Sequence, residues 1–189
     1  NISIKYYCKL FYNRYLLYMV DKNKIVNQFA ISLKESLASL LKNYVDKEFT
    51  EESSHNQNTE LKKSFYTACM SFNCTADEKV DLNIGIFLHW ELKTYLDVSS
   101  GMLGEKYTTY SDEIDDVGLE ILNMTVGLKK QYFSDIGLKL GDTLPIKISG
   151  NEYATSTYKC ALSKDITLVN NNGNKVKIVV YCFPTESLY

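Results

Sequence analysis

Four residues in the second half of the chain, Asp116, Glu120, Asn123 and Gly127, follow one another at intervals of four, three and four. On an α-helix, which turns about 100° per residue, Glu120, Asn123 and Gly127 fall at about 40°, 340° and 20° from Asp116, a single narrow line. Apolar residues border it on both sides: Ile114, Val117, Ile121, Met124 and Leu128 on one, Leu119, Leu122 and Val126 on the other. A surface helix ordinarily exposes a broad face of long charged side chains, so a thin stripe of Asp, Glu, Asn and Gly looks like a contact line. Asparagine and glycine each weaken a helix interior by up to about 1 kcal/mol relative to alanine, and two explanations are open for keeping both. In the first, Gly127 lets the helix pack closely on a sheet and Asn123 is merely solvated. In the second, the stripe meets a partner: Gly127 makes room, and Asn123 presents an amide that can donate to a phosphoryl oxygen and accept from a water.

The elements that must position this stripe are legible as patterns. Residues 111 to about 136 read as one long helix, with Ser111 and Asp112 as N-caps and Gly137 and Gly141 closing it. From Lys24 to Tyr44, Ile25, Phe29, Leu33, Leu37, Leu40, Leu41 and Tyr44 recur at helical spacing and predict another long helix. Residues 50–60 carry no apolar side chain and predict a mobile loop, with His55 solvated. Two stretches rich in β-formers, Ser64 to Phe72 and Val80 to Leu88, predict a hairpin around the polar segment 73–79. A shorter helix is expected from His89 to about Leu96, ending before Gly101 and Gly104, with Trp90 in packing and His89 without a catalytic partner. Beyond Pro145 the chain predicts strands at Pro145 to Ser149, Tyr153 to Leu162, Ile166 to Val169 and Lys175 to Phe183, the last two joined by an Asn-Gly turn over Asn170 to Asn174. The fold class is α+β, an antiparallel β-sheet packed against two long helices and a shorter one.

A chain of 189 residues, 45% of them apolar, predicts a single domain, taken as residues 19–189, with 1–18 an N-terminal extension outside it. The formal net charge of −2, with no basic stripe, argues against nucleic acid or an acidic membrane surface as partner. Five cysteines at 8, 69, 74, 160 and 182, with no Cys-x-x-Cys pair and only His55 and His89 beside them, argue for free thiols in a reducing compartment and against a zinc site. Cys69, Cys160 and Cys182 read as small buried apolar residues in strands. No apolar run approaches the roughly 20 residues needed to span a bilayer, and a cytoplasmic location is expected. Asn73 and Asn123 each begin an Asn-x-Thr triplet, which has meaning only in a secreted chain. A catalytic Ser-His-Asp set, a Gly-rich phosphate loop and a pocket-like carboxylate pair are all missing from the sequence, so an unrelated α+β enzyme has little support.

The string Asp116-Val-Gly-Leu-Glu120-Ile-Leu-Asn123-Met-Thr-Val-Gly127 resembles the signature of the CheC/CheX/FliY chemotaxis phosphatases: an Asp or Ser, a Glu four residues on and an Asn three further. Pro145 also falls where that family has a proline, and Asn-Met-Thr-x-Gly is similar to the CheX version. CheC and FliY resemble tandem arrangements with a second copy of the signature, and this chain carries one, which favours the CheX-like branch. The resemblance covers about residues 20–183. It implies a CheC/CheX-like fold and a phosphatase that hydrolyses the aspartyl phosphate of a CheY-type receiver domain in chemotaxis signalling. Asn123 would enter the receiver's active site and orient the attacking water, and Glu120 would pair with the receiver's lysine. A general-base role for Glu120 is disfavoured because a solvated carboxylate is a weak base at neutral pH. Asp116 and Gly127 would contact the partner, although Asp116 also reads as an ordinary helix-surface carboxylate. The Mg²⁺ would sit on the receiver, this chain binding no cofactor or metal, and the chain would form a homodimer through its sheet. The alternative is a non-catalytic module of a flagellar switch or other two-component system that binds a response regulator without hydrolysing it. The sequence does not name the receiver.

Overall fold

A computed structural model describes residues 2–52, 65–76, 80–148 and 162–184. Helix α1 runs Ile2–Val45 without interruption, longer than the 24–44 span predicted from its apolar face. Val26, Phe29, Ala30, Leu33, Leu37 and Leu41 are buried on that face, and Ile25, Ala38 and Tyr44 pack at its margins. Strand β1, Thr50–Glu51, opens the stretch read as a loop. The rest of that loop beyond Glu52, His55 included, lies outside the described residues.

Strands β2 (Tyr66–Ala76) and β3 (Val80–Trp90) form the expected antiparallel hairpin, with both strands longer than predicted. The polar run beginning at Asn73 continues β2 because the period-two alternation persists: Asn73 is exposed and Cys74 buried. His89 and Trp90 belong to the end of β3 and not to the following helix, since Ile86, Leu88 and Trp90 alternate into the core and the backbone turns only at Glu91. Helix α2 then runs Leu92–Leu103 and ends at Gly104, whose φ of +76° suits glycine. Gly101, expected as a stop, lies inside α2. A Cβ there would sit 1.7 Å from the Tyr44 carbonyl oxygen, so glycine is needed for the close crossing of α1 and α2.

The long helix expected over 111–136 is three pieces: a 3₁₀ turn at Asp112–Ile114, α3 at Val117–Gly127 and α4 at Lys130–Asp135. The interruption follows Gly127, and at Lys129 the backbone is turned (φ −109°, ψ −2°) so that its amide bonds the Val126 carbonyl three residues back, at 3.0 Å. This bend lets Phe133 stack on Phe29 of α1, with ring centroids 4.0 Å apart, while the Lys129 ammonium reaches Glu35 of α1 at 3.3 Å.

Strands β4 (Leu138–Leu140), β5 (Ile146–Ile148), β6 (Leu162–Val169) and β7 (Lys175–Pro184) complete one seven-stranded antiparallel sheet. Its order is β1-β6-β7-β3-β2-β4, and β5 also pairs with β2. Thus β4 and β5 share one edge, β4 opposite Cys74–Ala76 and β5 opposite Thr67–Cys69. The strand predicted over 153–162 lies outside the described residues except for its last position, which begins β6. The Asn170–Asn174 turn forms as expected, its Asn170 side chain accepting from the backbone amides of Asn172 and Asn174. One sheet face carries Ala68, Met70, Phe72, Ile84, Ile86, Val176, Ile178 and Val180 against the helices, so the fold is α+β with its core between helix layer and sheet. Cys69, Cys74 and Cys182 are buried free thiols, their ionisation opposed chiefly by burial, and Cys160 lies outside the described residues.

Candidate functional site

Helix α3 presents its stripe outward. Val117, Gly118, Ile121, Leu122, Thr125 and Val126 are buried on its inner face, whereas Asp116, Glu120, Asn123 and Gly127 are all exposed. The four residues singled out by spacing are therefore on one solvent-facing line of one helix. Leu119 and Met124 are half-buried beside them, and Leu128 beyond the line is 61% exposed. At Gly127 a Cβ would meet nothing within 4 Å, so close packing inside this chain does not account for that glycine. The glycine of α3 that packing does require is Gly118, where a Cβ would lie 2.3 Å from the Tyr66 ring.

The helix is held from two sides. From α1, the Ser36 hydroxyl donates to the Thr125 carbonyl at 3.0 Å, and the Tyr44 hydroxyl meets the Met124 sulfur at 3.8 Å. From the sheet and α2, two stacked tyrosines, Tyr66 and Tyr95, reach the chain just before α3. Tyr66 donates to the Asp115 carbonyl at 2.6 Å, Tyr95 donates to the Ile114 carbonyl, and the Gly118 amide donates to the Tyr95 oxygen at 3.4 Å. Burial, and secondarily the Asp115 carboxylate, pushes the Tyr66 phenol up to about 12. Burial and the neighbouring Tyr66 raise Tyr95 as well, so both remain hydroxyl donors at neutral pH. Lys147 of β5 forms an ion pair with Asp115 and donates to the Tyr110 hydroxyl at 2.8 Å. Sequence reasoning misses Tyr66, Tyr95, Gly118 and Lys147. They converge from four separate elements; Gly118 lies inside the motif string and Lys147 two residues after Pro145, whereas Tyr66 and Tyr95 lie near no local signal.

Beyond Gly127 the line runs into an open groove of about 540 Å³ lined by Gly127, Lys130, Gln131, Ser134, Lys139 and Leu140. Among the described residues no group of three His, Cys, Asp or Glu side chains is arranged to hold a metal ion. His89 is not near such chemistry: its Nδ1 bonds the Thr67 hydroxyl at 2.9 Å on the sheet. No described helix is long and apolar enough to cross a membrane.

This architecture recurs in solved structures. The chain is similar to the chemotaxis protein CheX of Vibrio vulnificus, at 17% identity and a TM-score of 0.65, covering 82% of this chain and 96% of that one. It is similar to a CheC-like chemotactic protein of Shewanella oneidensis, at 19% identity and a TM-score of 0.67, covering 82% and 97%. A third likeness, at 14% identity and a TM-score of 0.57 over 80% and 95%, is to the CheX-CheY-BeF3-Mg complex of Borrelia burgdorferi. No protein of curated function matches the sequence. The family model "Chemotaxis phosphatase CheX" matches residues 73–167, half of the chain and all of the α3 stripe, and the chain belongs to that family.

Proposed function

We propose that this chain is an aspartyl-phosphate phosphatase acting on a CheY-type receiver domain, with Asn123 and Glu120 as the residues that enter the receiver's active site. The observation that carries this reading is the exposed Glu120–Asn123–Gly127 line on α3, open above Gly127, in a chain of the CheX family. The similar Borrelia structure contains CheY together with BeF3 and Mg, which supports a receiver as partner.

The chemistry asked of the chain is small. A phosphorylated receiver already supplies the phosphoryl group and Mg²⁺, so acceleration comes from fixing a water in line with phosphorus. The Asn123 amide does this by accepting from that water while its N–H donates to a phosphoryl oxygen. Glu120, one turn earlier on the same line, pairs with a lysine of the receiver and sets the register. Asp116 and Gly127 bracket the contact, Asp116 as a polar contact and Gly127 by admitting the partner's surface. Asn123, Glu120 and Asp116 share a rigid helix, so their spacing does not have to be assembled on binding. A homodimer through the sheet and a cytoplasmic site of action complete the reading.

The test is the decay of a small-molecule-phosphorylated CheY-type receiver with Mg²⁺ and substoichiometric chain. Wild type is expected to accelerate decay through many turnovers, and Asn123→Ala and Glu120→Ala to lose most of that acceleration. A wild type that binds the phosphorylated receiver but leaves its decay unchanged would instead mark a non-catalytic binding module.

A further inference from the structure

Helix α3 begins without a cap of its own. Asp116, at the N-cap position, makes no side-chain bond to the first turn. The first amides of a helix have no intrahelical acceptor and need one from elsewhere. Here the Gly118 amide finds the Tyr95 hydroxyl, supplied by another helix. The same hydroxyl donates to the Ile114 carbonyl, and Tyr66 donates to the Asp115 carbonyl at 2.6 Å. Tyr95 is fully buried and Tyr66 is 2% exposed, with ring centroids 4.6 Å apart, so neither phenol can swing away without disturbing the core. Gly118 seats directly against the Tyr66 ring with no space for a methyl group. Lys147 pairs with the Asp115 carboxylate while its ammonium lies 5.4 Å from the centre of the Tyr66 ring.

From this geometry we infer that Tyr66 and Tyr95 are positioning residues for the phosphatase reaction: their hydroxyls fix the rotation of α3 about its axis and so aim Glu120 and Asn123. The inference rests on the function proposed above. Asp116, Glu120 and Asn123 face outward, so their direction is set by what grips the helix from within. Side-chain tips ride about 6 Å from a helix axis, and a rotation of about 20° displaces them by about 2 Å. In-line attack tolerates less than that, since a misplacement of about 1 Å can cost about 100-fold in rate. The two hydroxyls act at Ile114, Asp115 and Gly118, immediately before and within the first turn, where a small error is carried along the whole stripe.

The experiment uses Tyr66→Phe, Tyr95→Phe and the double variant, each keeping its ring and stacking while losing an oxygen. Receiver dephosphorylation is measured well below the unfolding transition, with kcat and KM separated. The expected result for the double variant is kcat reduced about tenfold or more with KM within about twofold, and no further loss when both changes are added to Asn123→Ala. A folded double variant with wild-type kcat would overturn the inference, because a purely stabilising role alters the denaturation midpoint and leaves turnover alone. Should the double variant not fold, Tyr66→Phe alone, which leaves the Asp115 carbonyl only the longer 3.1 Å bond from the Tyr95 hydroxyl, decides by the same criterion. Amide hydrogen exchange is recorded on the same proteins. Faster exchange confined to residues 114–120, with β3 and β7 unchanged, is expected, and unchanged exchange overturns the inference. If wild type itself leaves receiver decay unaltered, the phosphatase reading fails and the exchange result alone decides whether the tyrosines set α3.

Discussion

At Gly127 helix propensity and the proposed partner contact make opposite demands. Its missing Cβ faces open space, so Gly127→Ala is expected to raise stability by up to about 1 kcal/mol through helix propensity. Gly127→Tyr should keep the fold yet weaken receiver binding about tenfold or more by filling the surface the partner needs. Urea denaturation and a titration with phosphorylated receiver separate the two effects, and unchanged binding by Gly127→Tyr would remove Gly127 from the contact. His89 carries a different prediction. Burial, and next the nearby Lys177, lowers it from 6.5 to about 4, so the folded chain favours neutral imidazole and the unfolded chain takes up the proton first. This contribution is complete above about pH 6.5 and is lost as pH falls toward about 4, amounting to at most about 3 kcal/mol. His89→Gln should flatten the stability profile over that interval in urea midpoints, and an unaltered profile would mean His89 is not its source. Asn123 and Glu120 are legible in the sequence because residue type and helical spacing can be read along one segment. Tyr66 and Tyr95 are not, because the property that matters, two phenols meeting the backbone of a third element, exists only once β2 and α2 are packed.

At the scale of elements, apolar periodicity locates α1, the hairpin and the motif helix, and fails where a glycine or a polar residue has a tertiary reason. Gly101 reads as a stop, yet α2 passes through it because α1 lies against that spot. Gly127 reads as interior, yet α3 ends there and α4 turns to bring Phe133 onto Phe29. His89 and Trp90 read as a helix start, yet they pair with Thr67 and Tyr66 across the hairpin. The short β4 escapes pattern reading altogether, since three residues beside Cys74–Ala76 give no period to count. The crossing at Gly101 is testable. Gly101→Ala puts a methyl group into the Tyr44 backbone and should destabilise by about 1–3 kcal/mol despite alanine's better helix propensity. A stability equal to or above wild type in urea would show that the two helices can move apart at no cost.

For the whole molecule, α1 lies over β6 and β7 while α3 lies over β2, so the stripe and the β6 edge of the sheet lie toward opposite ends of the strand order. On that far edge β1 covers only Leu168 and Val169 of β6, and Leu162–Ile166 have no outer strand partner among the described residues. An edge of this kind can pair with a second copy, and sedimentation is expected to give twice the chain mass of 21.7 kDa. A monomer at every concentration would contradict the dimer. The α+β class follows from the sequence because it needs only the order of helices and strands; the sharing of one β2 edge by β4 and β5 does not, since pairing partners are not encoded locally. If Asn123 works in the hydrolytic step and not in docking, as proposed, the decay rate of phosphorylated receiver at saturating Asn123→Ala, with the affinity measured in parallel, separates the two roles. Affinity within about threefold of wild type and decay slowed about 100-fold relative to wild type are expected. Decay at the wild-type rate in the saturated Asn123→Ala complex would contradict the hydrolytic role.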